Sequence, residues 1–144
     1  MEKILICVFF FFLISIQEID SILVFRHFNI EILNHLGGNK RLMFNCRENG
    51  GSTAVEFLSF NASQKIYFRV YPQTLIWCNL WKGPDFVHRT KFDAFVAHEG
   101  FIRNVCGGRK PNVCLWEAED SGIWVRNNKD GVFNFMYRWD THEL

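Results

Sequence analysis

From residue 28 onward, apolar and polar side chains alternate in short runs. Phe28, Ile30 and Ile32 are interleaved with Asn29 and Glu31, and Leu42, Phe44 and Cys46 with Arg41, Met43 and Asn45. Ile66, Phe68 and Val70 alternate with Lys65, Tyr67 and Arg69, and Phe92, Ala94 and Val96 with Lys91 and Asp93. Successive side chains of a strand point to opposite faces, so each run predicts a strand with one dry and one wet side. Val55 and Phe57 form a briefer run. Residues 74–80 read as one mainly apolar stretch, which predicts a strand buried on both faces. Residues 113–118, 123–126 and 132–139 complete the set; in the last, Phe133, Phe135, Tyr137 and Trp139 are expected to share one side.

Turn residues punctuate these runs. Gly37-Gly38-Asn39-Lys40, Gly50-Gly51, Asp120-Ser121-Gly122 and Lys129-Asp130-Gly131 read as connections between strands, the last two as hairpin turns. No stretch keeps a 3.6-residue period over a dozen positions. Eight or nine short strands of this spacing predict an all-β fold, a small antiparallel β-sandwich or barrel. High Phe content agrees with that reading, since aromatic residues favour strands.

The N-terminal segment follows a different rule. Lys3 precedes a run from Ile4 to Ile16 interrupted only by Cys7 and Ser15. Such a run falls short of the ~20 residues needed to span a bilayer but fits the apolar region of a signal peptide. Residues 1–21 are therefore expected to be a signal, with Ser21 the best small residue at its end, and residues 22–144 one exported domain. No transmembrane segment is expected in the mature protein. The full chain carries a net charge of +1; without residues 1–21 it has 15 basic and 12 acidic residues. That excess is too small and too scattered for a nucleic-acid ligand, which needs a clustered basic face.

Export changes the meaning of the cysteines. Cys7 leaves with the signal, and Cys46, Cys78, Cys106 and Cys114 remain. An even number in an oxidising compartment predicts two disulfides, whose pairing the sequence leaves open among three possibilities. Structural zinc sites use close pairs such as C-x2-C, which these gaps do not supply.

The order of the motifs carries a resemblance. Asn34-His35-Leu36 closes one run and Asn45-Cys46 the next; Thr74-Leu75-Ile76-Trp77-Cys78 is followed by Trp81. Phe92-Asp93-Ala94-Phe95, Cys114-Leu115-Trp116 and Tyr137-Arg138-Trp139 come after, in that order. Together, from Phe28 to Trp139, they resemble the plant self-incompatibility protein S1 family, the S-protein homologues. The chain departs from that pattern in Asn45 where a His is usual, in the absence of an Asp run after Cys46, and in the wide spacing of Cys106 and Cys114. The resemblance implies a small secreted β-sandwich with two disulfides. It implies a recognition ligand that engages a plasma-membrane receptor, as some members inhibit incompatible pollen.

Candidate chemistry is sparse. Asn61-Ala62-Ser63 is an N-glycosylation sequon placed between two expected strands. His27, His35, His88, His98 and His142 lack the H-E-x-x-H spacing of a zinc protease. There is no G-x-S-x-G elbow, and Gly37–Lys40 lacks the remainder of a phosphate loop. No catalytic residue, metal ligand or cofactor is expected. Trp77, Trp81, Trp116, Trp124 and Trp139 are read either as core or as a carbohydrate-stacking platform, with core favoured for Trp116 and Trp139. Recognition is expected to lie in loops, with residues 47–53, 82–89 and 102–111 as candidates. The alternatives are a secreted defence or glycan-binding protein and a hydrolase with a dispersed site.

Overall fold

The structure is a computed structural model that describes residues 27–140; the expected signal, residues 1–21, lies outside the described residues, as do Cys7 and His142. Ten strands form two sheets, β1 (Phe28–Asn34), β2 (Leu42–Glu48), β3 (Gly51–Ser52), β4 (Glu56–Leu58), β5 (Ser63–Phe68), β6 (Leu75–Lys82), β7 (His88–Val96), β8 (Val113–Glu119), β9 (Gly122–Arg126) and β10 (Phe133–Tyr137). One helix, α1 (Glu99–Asn104), lies between β7 and β8. The first sheet has the order β10-β9-β8-β1-β5 and the second β3-β2-β6-β7, with β4 also on β2. The all-β sandwich expected from the alternation is therefore present. Its pairings are antiparallel except for β1 with β8, which run parallel. A parallel neighbour needs a long crossover, and the whole second sheet plus α1 supplies it.

The core lies between the sheets. Ile30 and Ile32 from β1, Leu42 and Phe44 from β2, and Cys78 and Leu80 from β6 are fully buried, so the period-two pattern points where it predicts. Trp116 is the largest fully buried side chain. Its ring lies 4.6 Å from Phe92 and its Nε1–H donates to Ala94 O at 3.0 Å, from one sheet to the other. Truncating a buried aromatic of this kind typically costs about 3–5 kcal/mol. Tyr137 stacks on Phe92 at 5.2 Å, and burial, with the Asp93 charge adding, raises its phenol above the ordinary 10.0.

Three local expectations are corrected. Residues 74–80 are not buried on both faces: Ile76, Cys78 and Leu80 face the core, while Trp77, Asn79 and Trp81 lie on the half-exposed outer side. In β10, a register shift between Phe135 and Tyr137 breaks the alternation, leaving Tyr137 in the core and Phe135 outside against Trp124 at 5.3 Å. A bulge of this kind flips the side chains beyond it. Finally, the expected loop 102–111 begins inside a helix: residues 99–104 form α1, anchored by buried Ile102, with His98 accepting from Gly100 N–H at the cap. A six-residue helix is too short to show a period.

One end of the sandwich is locked by two side chains. Asn34 is fully buried. Its Nδ2 donates to Lys40 O and Leu58 O, each at 2.9 Å, and its Oδ1 accepts from Leu36 N. Its own backbone is paired with Ala62 O and Asn61 N. One amide thus fixes the ends of β1, β4 and the following loop. Across the same end, Asp120 accepts from Gly37 N at 2.9 Å and pairs with Lys40 at 2.7 Å. The Lys40 hydrogen bond lowers its carboxyl most; desolvation opposes this, and Gly37 N–H and the charges of Lys40 and Lys82 add to the lowering, so it lies below the ordinary 3.8.

Asn34→Ala leaves two buried backbone groups, Leu58 O and Leu36 N, and the part-buried Lys40 O without the Asn34 amide, and denaturant unfolding should show a loss of about 3 kcal/mol. Asp120 titrates lower folded than unfolded. Its contribution is full above about pH 5 and is lost as pH falls through its lowered value. The Lys40–Asp120 pair is exposed, so Asp120→Asn should flatten the acid limb of the stability profile by under about 1 kcal/mol.

Candidate recognition surface

The strand directions place the candidate loops at different ends. Residues 83–87 share the Asn34 end, whereas residues 49–50, 69–74, 97–112 and 127–132 share the other. Of the loops expected to act in recognition, 47–53 and 102–111 therefore sit at the α1 end, toward opposite edges of the second sheet, and 82–89 does not join them.

The cysteines pair as Cys46–Cys78 and Cys106–Cys114. The first joins directly opposed residues of β2 and β6, 4.0 Å apart at Cα, within one sheet. The second ties the segment after α1 to the start of β8, with Cα atoms 5.0 Å apart, and so closes the crossover between sheets. All four cysteines are buried and oxidised in these bridges, so none of them offers a thiolate for nucleophilic or metal chemistry.

The loop after Cys106 is held from the opposite side by Asn128. Its Nδ2 lies within hydrogen-bond distance of Gly108 O at 3.0 Å, Pro111 O at 3.1 Å and Val113 O at 2.7 Å. Its backbone N–H donates to Cys106 O. Gly107 takes φ +76 there, and a Cβ would collide with the Asn127 side chain, so only glycine fits. Arg109 pairs with Glu99 of α1. The widened Cys106–Cys114 loop is thus a tied structure whose outer surface carries exposed Lys110, Pro111 and Asn112.

At the opposite edge, a shallow cleft opens between β3 and β5. Cys46, Ile66, Phe68 and Ile76 line it, with Arg47, Glu48 and Thr53 at its margin. Thr53 fixes that margin: its Oγ1 accepts from Cys46 N at 2.9 Å and its N–H donates to Cys46 O at 2.8 Å. Tyr67 at 74% exposure, Tyr71 at 52% and Val132 at 55% stand around this end, more open than apolar groups usually are.

Asn61 is exposed, with φ 61, in the turn before β5 at the Asn34 end, away from the loops just described. The histidines do not converge. His35 pairs with the buried Glu117 carboxylate, His98 caps α1 and His88 starts β7. Among the described residues no group of His, Cys, Asp or Glu could hold a metal ion, and no helix is long and apolar enough to cross a membrane. The tryptophans divide: Trp116 is core, Trp139 is half-buried with its indole donating to Glu119 O at 2.8 Å, and Trp77, Trp81 and Trp124 lie on outer faces. The Asn128 clamp is a feature that sequence reading did not find, because nothing local distinguishes an asparagine that reaches a loop 15–20 residues away.

A solved self-incompatibility protein homologue, described as one of a widespread family of small, highly stable, secreted proteins from plants, has the same fold. It superposes with a TM-score of 0.61 over 82% of this chain and 98% of its own, at 17% identity. No curated protein matches the chain. The family model for plant self-incompatibility protein S1 matches residues 29–139, which includes every strand from β2 to β10 and both disulfides. The chain belongs to the plant self-incompatibility protein S1 family.

Proposed function

We propose that the protein is a secreted plant recognition ligand that binds a cell-surface partner through the α1 end of the sandwich, without covalent chemistry. The observation that carries this reading is the preordered state of that end. The Cys106–Cys114 bridge and the Asn128 clamp fix a loop at the end of the sandwich that also carries exposed Tyr71, after β5, and Val132, before β10. Loops ordered before contact lose less entropy on binding, which favours recognition by shape. Family membership and the secreted character ascribed to the solved homologue support export. The four cysteines suit an oxidising compartment.

In this reading residues 1–21 are removed as a signal, and Asn61 carries an N-linked glycan at the opposite end, where it does not cover the recognition loops. Protein recovered from a plant secretory host should lose mass on treatment with peptide N-glycosidase. The Asn61→Gln form should not.

The recognition surface itself is tested with labelled mature protein on intact pollen and on other plant cells. Binding should be saturable and displaced by unlabelled protein. Tyr71→Ser with Val132→Asp should weaken it by about tenfold, the equivalent of about 1.4 kcal/mol. Lys40→Ala at the other end should leave it unchanged. Unchanged binding in the first variant, or equal loss in both, would contradict the assignment.

A further inference from the structure

The outer face of the second sheet is built in rows across its strands. Phe57, Met43, Trp81 and Arg89 form one row, Asn45, Asn79 and Lys91 the next, and Arg47, Trp77 and Asp93 the third. The water-facing side of a two-layer sandwich usually carries polar residues. Here two indoles stand four residues apart on one strand, about 13 Å along it. Neither of their N–H groups has a hydrogen-bond acceptor among the described residues, whereas those of Trp116, Trp124 and Trp139 do. Between the indoles, Asn79 Nδ2 donates to Asn45 Oδ1 at 3.1 Å; Asn45 is buried and Asn79 half-buried, with its own amide oxygen not engaged in that bond.

The charge on this face is one-sided. Arg47, Arg89 and Lys91 belong to the rows, and Arg41 lies over the Phe57 ring at 4.5 Å; Asp93 is the acidic residue among them. Lys91 Nζ is 5.6 Å from the Trp77 ring centre, so a cation stands beside a stacking surface.

We propose that this face binds an anionic polysaccharide, with an extended polyuronate chain as the class of ligand. A pyranose ring presents C–H groups on its faces and hydroxyls at its rim. Indole faces accept the first, and the indole N–H groups, with the half-buried Asn79 amide between them, bond the second. Sugar carboxylates meet Lys91 and the arginines, which hold them by charge-assisted hydrogen bonds. A lipid surface fits less well, because these side chains are half-buried in a sheet face and do not protrude as an inserting loop would. The face is distinct from the α1-end loops, so this proposal stands apart from the receptor reading.

The test is affinity electrophoresis of the mature protein through gels containing polygalacturonate. Parallel gels contain the same polymer with its carboxyls reduced to alcohols, and flotation with phosphatidylserine vesicles is run alongside. The polyuronate should retard the protein at low salt, and added salt should relieve the retardation. The reduced polymer should retard it weakly, and the vesicles should not carry it. Trp81→Ala and Trp77→Ala should each raise the dissociation constant about tenfold. Lys91→Glu, at an exposed position where folding is not at stake, should raise it by about as much. No retardation of the wild-type protein, retardation indifferent to Lys91→Glu, equal binding to the neutral polymer, or vesicle capture would each overturn the proposal.

Discussion

Trp116 lies fully buried between the two sheets and donates its indole N–H to Ala94 O of the opposite layer. Neither disulfide joins strand to strand across the layers: one is confined to the second sheet, and the other closes the crossover. The separation and register of the sheets therefore rest on close packing around that indole, where Phe92 and Tyr137 stack. An indole has one donor, and burying it without an acceptor would cost about 1–3 kcal/mol. The bond to Ala94 O thus selects one alignment of β8 against β7. Everything that faces water follows from that alignment, because a one-residue slip would exchange inner for outer side chains.

With the layers fixed, two asparagines finish the ends. Asn34 gathers the loops of one end and Asn128 those of the other. Both use a short amide to satisfy backbone carbonyls that have no strand partner, the usual need of a loop packed against a sheet. The consequence for function is rigidity without a large core. Loops tied in this way can vary in exposed residues such as Lys110 and Asn112 while the frame beneath them persists.

Most of the frame was legible in the alternation. Ile30, Ile32, Leu42, Phe44, Ile123 and Val125 face inward as a period of two requires, and Asp120-Ser121 and Lys129-Asp130 lie in the expected turns. The family resemblance also located the two buried anchors of Asn-x-Leu, whose meaning the structure supplies: Asn34 Oδ1 accepts from Leu36 N while Leu36 enters the core. What pattern alone missed depends on contacts distant in sequence. The bulge in β10 answers to packing against Phe92, and the placing of Trp77 and Trp81 outside depends on which side of β6 the core chose. In residues 74–80 only Asn79 breaks the apolar side chains after Thr74, and one polar position between Cys78 and Leu80 was too weak a sign of the outer face against two bulky indoles on the same side. The parallel pairing of β1 with β8 was equally hidden, since Ile32 and Trp116, which lie opposite each other, are separated in the chain by every strand from β2 to β7 and by α1.

The account is tested most directly by hydrogen exchange of the five tryptophan indoles, resolved by NMR on the mature protein. Trp116 Nε1–H should exchange only through global unfolding, with the protection of the core amides, while Trp77 and Trp81 exchange at rates near those of a free indole. Fast exchange at Trp116, or strong protection at Trp77 and Trp81, would contradict the arrangement of the two sheets and the faces they present.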